Sequence, residues 1–181
     1  MKNDVFKKDL YRYYGEKGES LKDRILRSGE IKFLYVFRKL QSNPNIIAKI
    51  YYKLRFRAIS AKTHIQIPPK TKIGEGFYIG HTGRVIINPC ATLGKNVNIA
   101  TGVTIGAENR GKREGVPTIG DDCWIGTNAV IVGNIKIGND CLIAPLTFVN
   151  FDVPDHSVVV GNPGKIIPKE NATKGNINKR V

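Results

Sequence analysis

From Ile119 the chain repeats itself every six residues. Ile119, Ile125, Ile131, Ile137, Ile143 and Val149 hold one place, and small or aliphatic residues hold the place four further on: Cys123, Ala129, Ile135, Cys141 and Thr147. An α-helix turns once per 3.6 residues and would smear such a set around its cylinder. Hairpin strands would need turn signals between them, and none is spaced that way. A coil with short flat sides that turns one corner per hexapeptide satisfies the period. The aliphatic fills the interior beside the small residue, and the glycine after it (Gly120, Gly126, Gly138) suits a tight turn. Three hexapeptides close one coil, so Cys123 and Cys141 stack as buried fillers.

The same register runs through Ile67, Ile73 and Ile79, slips by two around His81-Thr82-Gly83-Arg84, and resumes at Ile87, Leu93, Ile99 and Ile105. A second break, Gly106 to Thr118, precedes the restart. The expected fold is mainly β, a parallel β-helix of hexapeptide repeats over residues 63–167. A basic helical segment, 1–62, precedes it, and a polar, mobile tail, 168–181, follows. A solenoid departs from its repeat where it does something besides scaffolding, so the two breaks are the places to look for chemistry.

Charge divides the chain in the same way. The net charge is +14, yet residues 63–167 hold 9 Lys and Arg against 8 Asp and Glu, while residues 1–62 hold 16 against 6. A positive appendage suits an anionic partner: lipid headgroups, a polyanionic glycan or nucleic acid. No recognisable nucleic-acid-binding module is present, so nucleic acid is not expected. No apolar run is long enough to span a bilayer and no signal peptide is visible, which points to the cytoplasm, with peripheral contact at an anionic membrane through residues 1–62. Three cysteines without an export signal argue against a disulfide framework.

Within 1–62, residues 4–14 read as a helix that Asp4 opens and Gly15 stops, and a second starts at Ser20. Residues 31–41 and 45–58 form an amphipathic pair, with Pro44 in the first turn of the latter. Ile47, Ile50, Tyr51 and Leu54 make a stripe flanked by Lys49, Lys53, Arg55 and Arg57. That stripe is expected against the chain's own trunk or a partner subunit, and only second against a membrane.

Of the three histidines, only His81 sits in a break, between Gly80 and Thr82-Gly83. An imidazole that titrates near neutrality suits a general base acting on a hydroxyl. The second break carries Arg110, Lys112 and Arg113, which suit an anionic ligand. No paired His, Cys or carboxylate spacing suggests a metal, and no phosphate loop is present.

His81 in GHTGRVIINP, the GVTIG at 102–106, Trp124-Ile125-Gly126 and the closing GNPGKII resemble the hexapeptide acyltransferases. Serine acetyltransferase and sugar-modifying enzymes of capsule and exopolysaccharide gene sets are the nearest in type. The resemblance implies a left-handed coil, a homotrimer with sites between subunits, acetyl-CoA as co-substrate and His81 as the base. It places Thr127, Pro145, Asn150, Gly164 and Lys165 along the coenzyme, and Arg84, Asn88 and Arg110 with the acceptor. Two departures matter. Serine acetyltransferase has an Asp before the catalytic His, where this chain has Gly80, and an Asp-Arg-His-Pro stretch where it has Glu114-Gly115-Val116-Pro117. On that ground the acceptor is expected to be a saccharide or lipid-linked glycan in surface polysaccharide biosynthesis. Serine O-acetylation and a non-catalytic scaffold are the alternatives.

Overall fold

The structure, a computed structural model, describes residues 4–18, 20 and 27–181. Among the described residues, three α-helices lead in: α1 (Asp4–Tyr14), α2 (Gly29–Gln41) and α3 (Ile46–Thr63). The helix expected from Ser20 falls on 21–26, outside the described residues. Gly15 ends α1 with φ +66°, a conformation that costs glycine little. Helix α3 starts later than expected, because the Asn45 side chain, not Pro44, supplies the cap by accepting from the Ala48 N–H at 2.9 Å. It also runs on to Thr63 and feeds directly into the coil.

The coil has three flat faces. Sheet A stacks β1 (Ile65–Gln66), β4 (Val85–Ile87), β7 (Thr104–Gly106), β10 (Val130–Val132) and β13 (Phe148–Val149). Sheet B stacks β2 (Lys72–Ile73), β5 (Thr92–Leu93), β8 (Thr118–Ile119) and β11 (Lys136–Ile137). Sheet C stacks β3 (Tyr78–Ile79), β6 (Asn98–Ile99), β9 (Trp124–Ile125), β12 (Cys141–Ile143) and β14 (Ser157–Val160) in parallel. Strand β15 (Lys165–Pro168) closes that face antiparallel to β14. Register follows the sequence period. Ile131 pairs with Val149 and Ile119 with Ile137, eighteen residues apart. Across the first break Ile73 pairs with Leu93, two residues more, and across the second Leu93 pairs with Ile119, eight more.

Both inward places of each hexapeptide are buried. Ile125, Ile131, Cys123, Ala129 and Cys141 are fully excluded from solvent, and each aliphatic contributes roughly 1.5–3 kcal/mol through burial. The glycines have a different role from the one expected. Gly120, Gly126 and Gly138 do not have positive φ; that falls two residues later, on Asp122, Asn128 and Asp140. What excludes a side chain is the next rung: a Cβ on Gly126 would lie 2.6 Å from the Pro145 N, and one on Gly120 2.8 Å from the Gly138 carbonyl.

The helices cover the open start of the coil. The Asp9 carboxylate accepts from the Phe77 N–H and from Arg38, while Arg38 donates to the carbonyls of Ile73 and Gly74. The Tyr13 hydroxyl both accepts from the Ile79 N–H and donates to its carbonyl. Phe33, Leu34 and Phe37 of α2 join the coil's core. The tail departs from the expectation of mobility. Ala172, Thr173 and Ile177 are buried, and the Asp140 carboxylate accepts from both the Ala172 and Thr173 amides. These bonds, with the Asn96 side-chain amide donating to Val181, strap the tail along the B–C corner.

Candidate active site

His81 lies on the corner where β3 of sheet C turns into β4 of sheet A, and its side chain is exposed. Two anchors place it. Tyr13 holds Ile79 just before it, and the Gly83 N–H donates to the Thr63 carbonyl at the end of α3 just after it. The start of α2 closes in as well, since a Cβ on Gly29 would meet the Thr82 methyl at 2.6 Å. His81 therefore stands where the helical lead-in meets the first corner of the coil, turned to solvent and not into the dry interior. Among the described residues it has no hydrogen-bond or ion-pair partner, and Gly80 offers no carboxylate in that place.

The same corner continues up the coil as a backbone ladder. The Gly102 N–H donates to the Arg84 carbonyl, Asn128 to Thr101, and Leu146 to Thr127. Above it, Phe148 donates to the Gly161 carbonyl and Gly164 to Phe148. The C–A corner thus lines up His81, Arg84, Thr127 and Pro145 in one row, with Gly164 and exposed Lys165 at its far end. Glycine is required at 164, because a Cβ there would press on the Phe148 carbonyl at 2.7 Å. Pro145 and Leu146 are exposed, so the row borders an open surface.

Asn88, Arg110 and Asn150 are elsewhere. Asn88 follows β4 and Asn150 follows β13, both on the A–B corner, across the width of sheet A from His81. The Asn88 carboxamide oxygen already accepts from the Cys90 N–H. Arg110 is exposed in the loop between β7 and β8, which also leaves from the A–B corner and folds on itself through paired bonds between Glu108 and Gly115. Within one chain the candidate residues therefore form two groups. Sequence reading missed Tyr13 and Thr101: Tyr13 lies on a helix far from the repeat, but Thr101 was reachable by counting one coil on from the first break. Among the described residues no group of three or more His, Cys, Asp or Glu side chains could hold a metal ion.

Residues 117–150 match the family described as Bacterial transferase hexapeptide (six repeats). The chain's fold is that of the hexapeptide-repeat transferases. The serine acetyltransferase of Bacillus pumilus is 37% identical over 121 residues, which are 66% of this chain and 56% of that protein. The chain thus spans little more than half the length of that relative. Among solved structures, serine acetyltransferase from Brucella abortus superposes with a TM-score of 0.77 at 25% identity, covering 94% of this chain and 70% of the other. The Neisseria gonorrhoeae serine acetyltransferase in complex with serine gives 0.68 at 27% identity, covering 92% and 69%. These relatives overturn the expected saccharide or lipid-linked glycan acceptor and the placement in surface polysaccharide biosynthesis. The physical reason is that losing an Asp and a His removes two polar groups without adding any that recognise a sugar. Among the described residues no helix is long and apolar enough to cross a membrane.

Proposed function

We propose that the chain is an acetyl-CoA-dependent O-acetyltransferase that acylates the hydroxyl of serine. The observation that carries this reading is His81, exposed at the foot of an open corner, in a coil whose relatives are named for that reaction. His81 removes the proton from the serine hydroxyl as its oxygen attacks the thioester carbonyl. The new C–O bond forms, the C–S bond breaks, and the proton passes to the departing thiolate. Backbone N–H groups are the natural donors to the transient oxyanion. The corner row fits an extended donor: Thr127 and Pro145 border its length, and the Lys165 ammonium suits a phosphate at the far end.

A homotrimer completes the site. Packing the A–B corner of one subunit against the C–A corner of the next would bring Asn88, Arg110 and Asn150 to the row that holds His81. The assembly would have the mass of three 20.1 kDa chains, which light scattering measures. Thiol release from acetyl-CoA with and without L-serine, in wild type and His81→Ala, tests the reaction. Serine-dependent release that the variant loses supports it, and no serine-dependent release rejects it. One observation favours a second reading, a coil without turnover: His81 has neither the preceding carboxylate nor any other described partner.

A further inference from the structure

Helix α3 has two apolar faces, and the coil uses only one. Tyr52, Phe56 and Ile59 turn inward: Phe56 and Ile59 pack on the core, and Phe56 lies 5.4 Å from the Phe33 ring. On the opposite side Ile46, Ile47, Ile50, Tyr51 and Leu54 are exposed by 68, 79, 55, 51 and 62%. At about 100° per residue the two sets point some 180° apart. The expected packing of this stripe on the chain's own trunk therefore does not occur. Five large apolar side chains on one surface strip are far more than the scattered exposure of an ordinary soluble face.

The charges around the stripe identify what covers it. Helix α3 carries Lys49, Lys53, Arg55, Arg57 and Lys62 and not one acidic residue. Lys53 and Arg57 border the stripe on one side, Arg55 and Lys62 on the other. Arg55 also donates to the Tyr51 hydroxyl at 3.0 Å, so the aromatic and the cation are held together at the rim. A second copy packed on this face by a two-fold axis would bring cation against cation. A groove of about 400 Å³ opens beside the stripe, with Ile50, Leu54, Phe56 and Pro69 in its wall and Lys53 and Arg57 at its edge. An apolar strip between two cationic margins, with an interfacial tyrosine, is complementary to acyl chains beneath anionic headgroups.

We propose that the outer face of α3 docks the protein on an anionic lipid surface. Ile47, Ile50 and Leu54 enter the acyl boundary, while Lys53, Arg55, Arg57 and Lys62 reach back to the headgroups. The docking is independent of the reaction proposed for His81, so each can fail alone.

The test is flotation of the full chain with phosphatidylcholine vesicles, with and without about 30% phosphatidylglycerol. Binding to the anionic vesicles alone, reversed by roughly 0.5 M salt, is the expected result. The double variant I47S/L54S should lower partitioning about tenfold or more and K53E/R57E by a similar factor, both with unchanged far-ultraviolet dichroism. Failure of the wild type to float, or equal flotation of all three proteins, overturns the proposal. So does a fall in solution mass for I47S/L54S without vesicles, because it would show the face buried between copies.

Discussion

Two corners of the same coil share one kind of backbone ladder and differ in the side chains around it. At the B–C corner side chains reinforce the backbone ladder: the Lys95 N–H donates to the Asp121 carboxylate, Asp121 to the Asn139 carboxamide oxygen, and Asn139 to the Asp155 carboxylate, at 2.7 to 2.8 Å. Asp140 and the tail then cover the outside. At the C–A corner, among the described residues, the ladder is joined by one buried side-chain bond, from the Thr147 hydroxyl to the Val159 carbonyl, and His81, Pro145 and Leu146 face solvent. One corner has spent its polar groups on itself, and the other has kept its surface free. A repeat protein can thus hold scaffold and candidate site on similar rungs, distinguished by which corner is left uncovered.

The largest effect expected is on chemistry at the free corner. His81→Ala should lower turnover roughly a hundred- to ten-thousand-fold without moving the melting temperature, as thiol release and calorimetry would show. A fall in both would mean that His81 belongs to the scaffold after all. Next comes the tightness of the free corner's backbone. Gly126→Ala would push a Cβ to 2.6 Å from the Pro145 N, and overpacking of this kind costs about 1–3 kcal/mol. Chemical denaturation measures the loss, and a neutral substitution would show that the rungs can spread.

The covered corner should be sensitive through Asp140. Burial opposes its ionisation, yet hydrogen bonds from Thr173, His156 and Ala172 outweigh that and hold the carboxyl at about 2. The depressed value stabilises the strap above the unfolded pKa and is lost as pH falls from about 4 towards 2. Asp140→Asn should remove about 1–2 kcal/mol at neutral pH and speed hydrogen exchange at Ala172 and Thr173, while leaving turnover intact. The smallest effect comes from His156, whose pKa is raised by its hydrogen bond to Asp140 and then by Glu170. That contribution is complete below about pH 6.5 and fades as pH rises through the higher folded value. Exchange of the tail amides should quicken slightly over that range, and less so in His156→Gln.

Much of the coil was legible because packing imposes its period. An inward aliphatic every six residues leaves a visible trace, so β8 to β13 and both breaks could be read from spacing. The glycines were misread because a close approach between rungs leaves the same letter as a turn: Gly126 yields space to Pro145, and the turn falls on Asn128. The tail was misread because its docking depends on single bonds to Asp140 and Asn96, which have no periodicity. For the site, counting coils would have put Thr127 and Pro145, eighteen residues apart, on one corner. The same counting would have separated Asn88 and Asn150 from them. The acceptor was beyond reach, because a missing side chain says what is not held and little about what is.

The covers at the two ends of sheet C have a further consequence. A stack of short parallel strands has no intrinsic limit, since each rung leaves an unpaired edge that another rung can extend. Here Tyr13 and Asp9 occupy the Ile79 and Phe77 edge groups, and β15 runs back antiparallel against β14 at the other end. At the α1 end these bonds take up edge groups of sheet C that a further rung would need, so that end is closed by side chains of the helical lead-in. Without α1 the prism would expose a template for fibril extension.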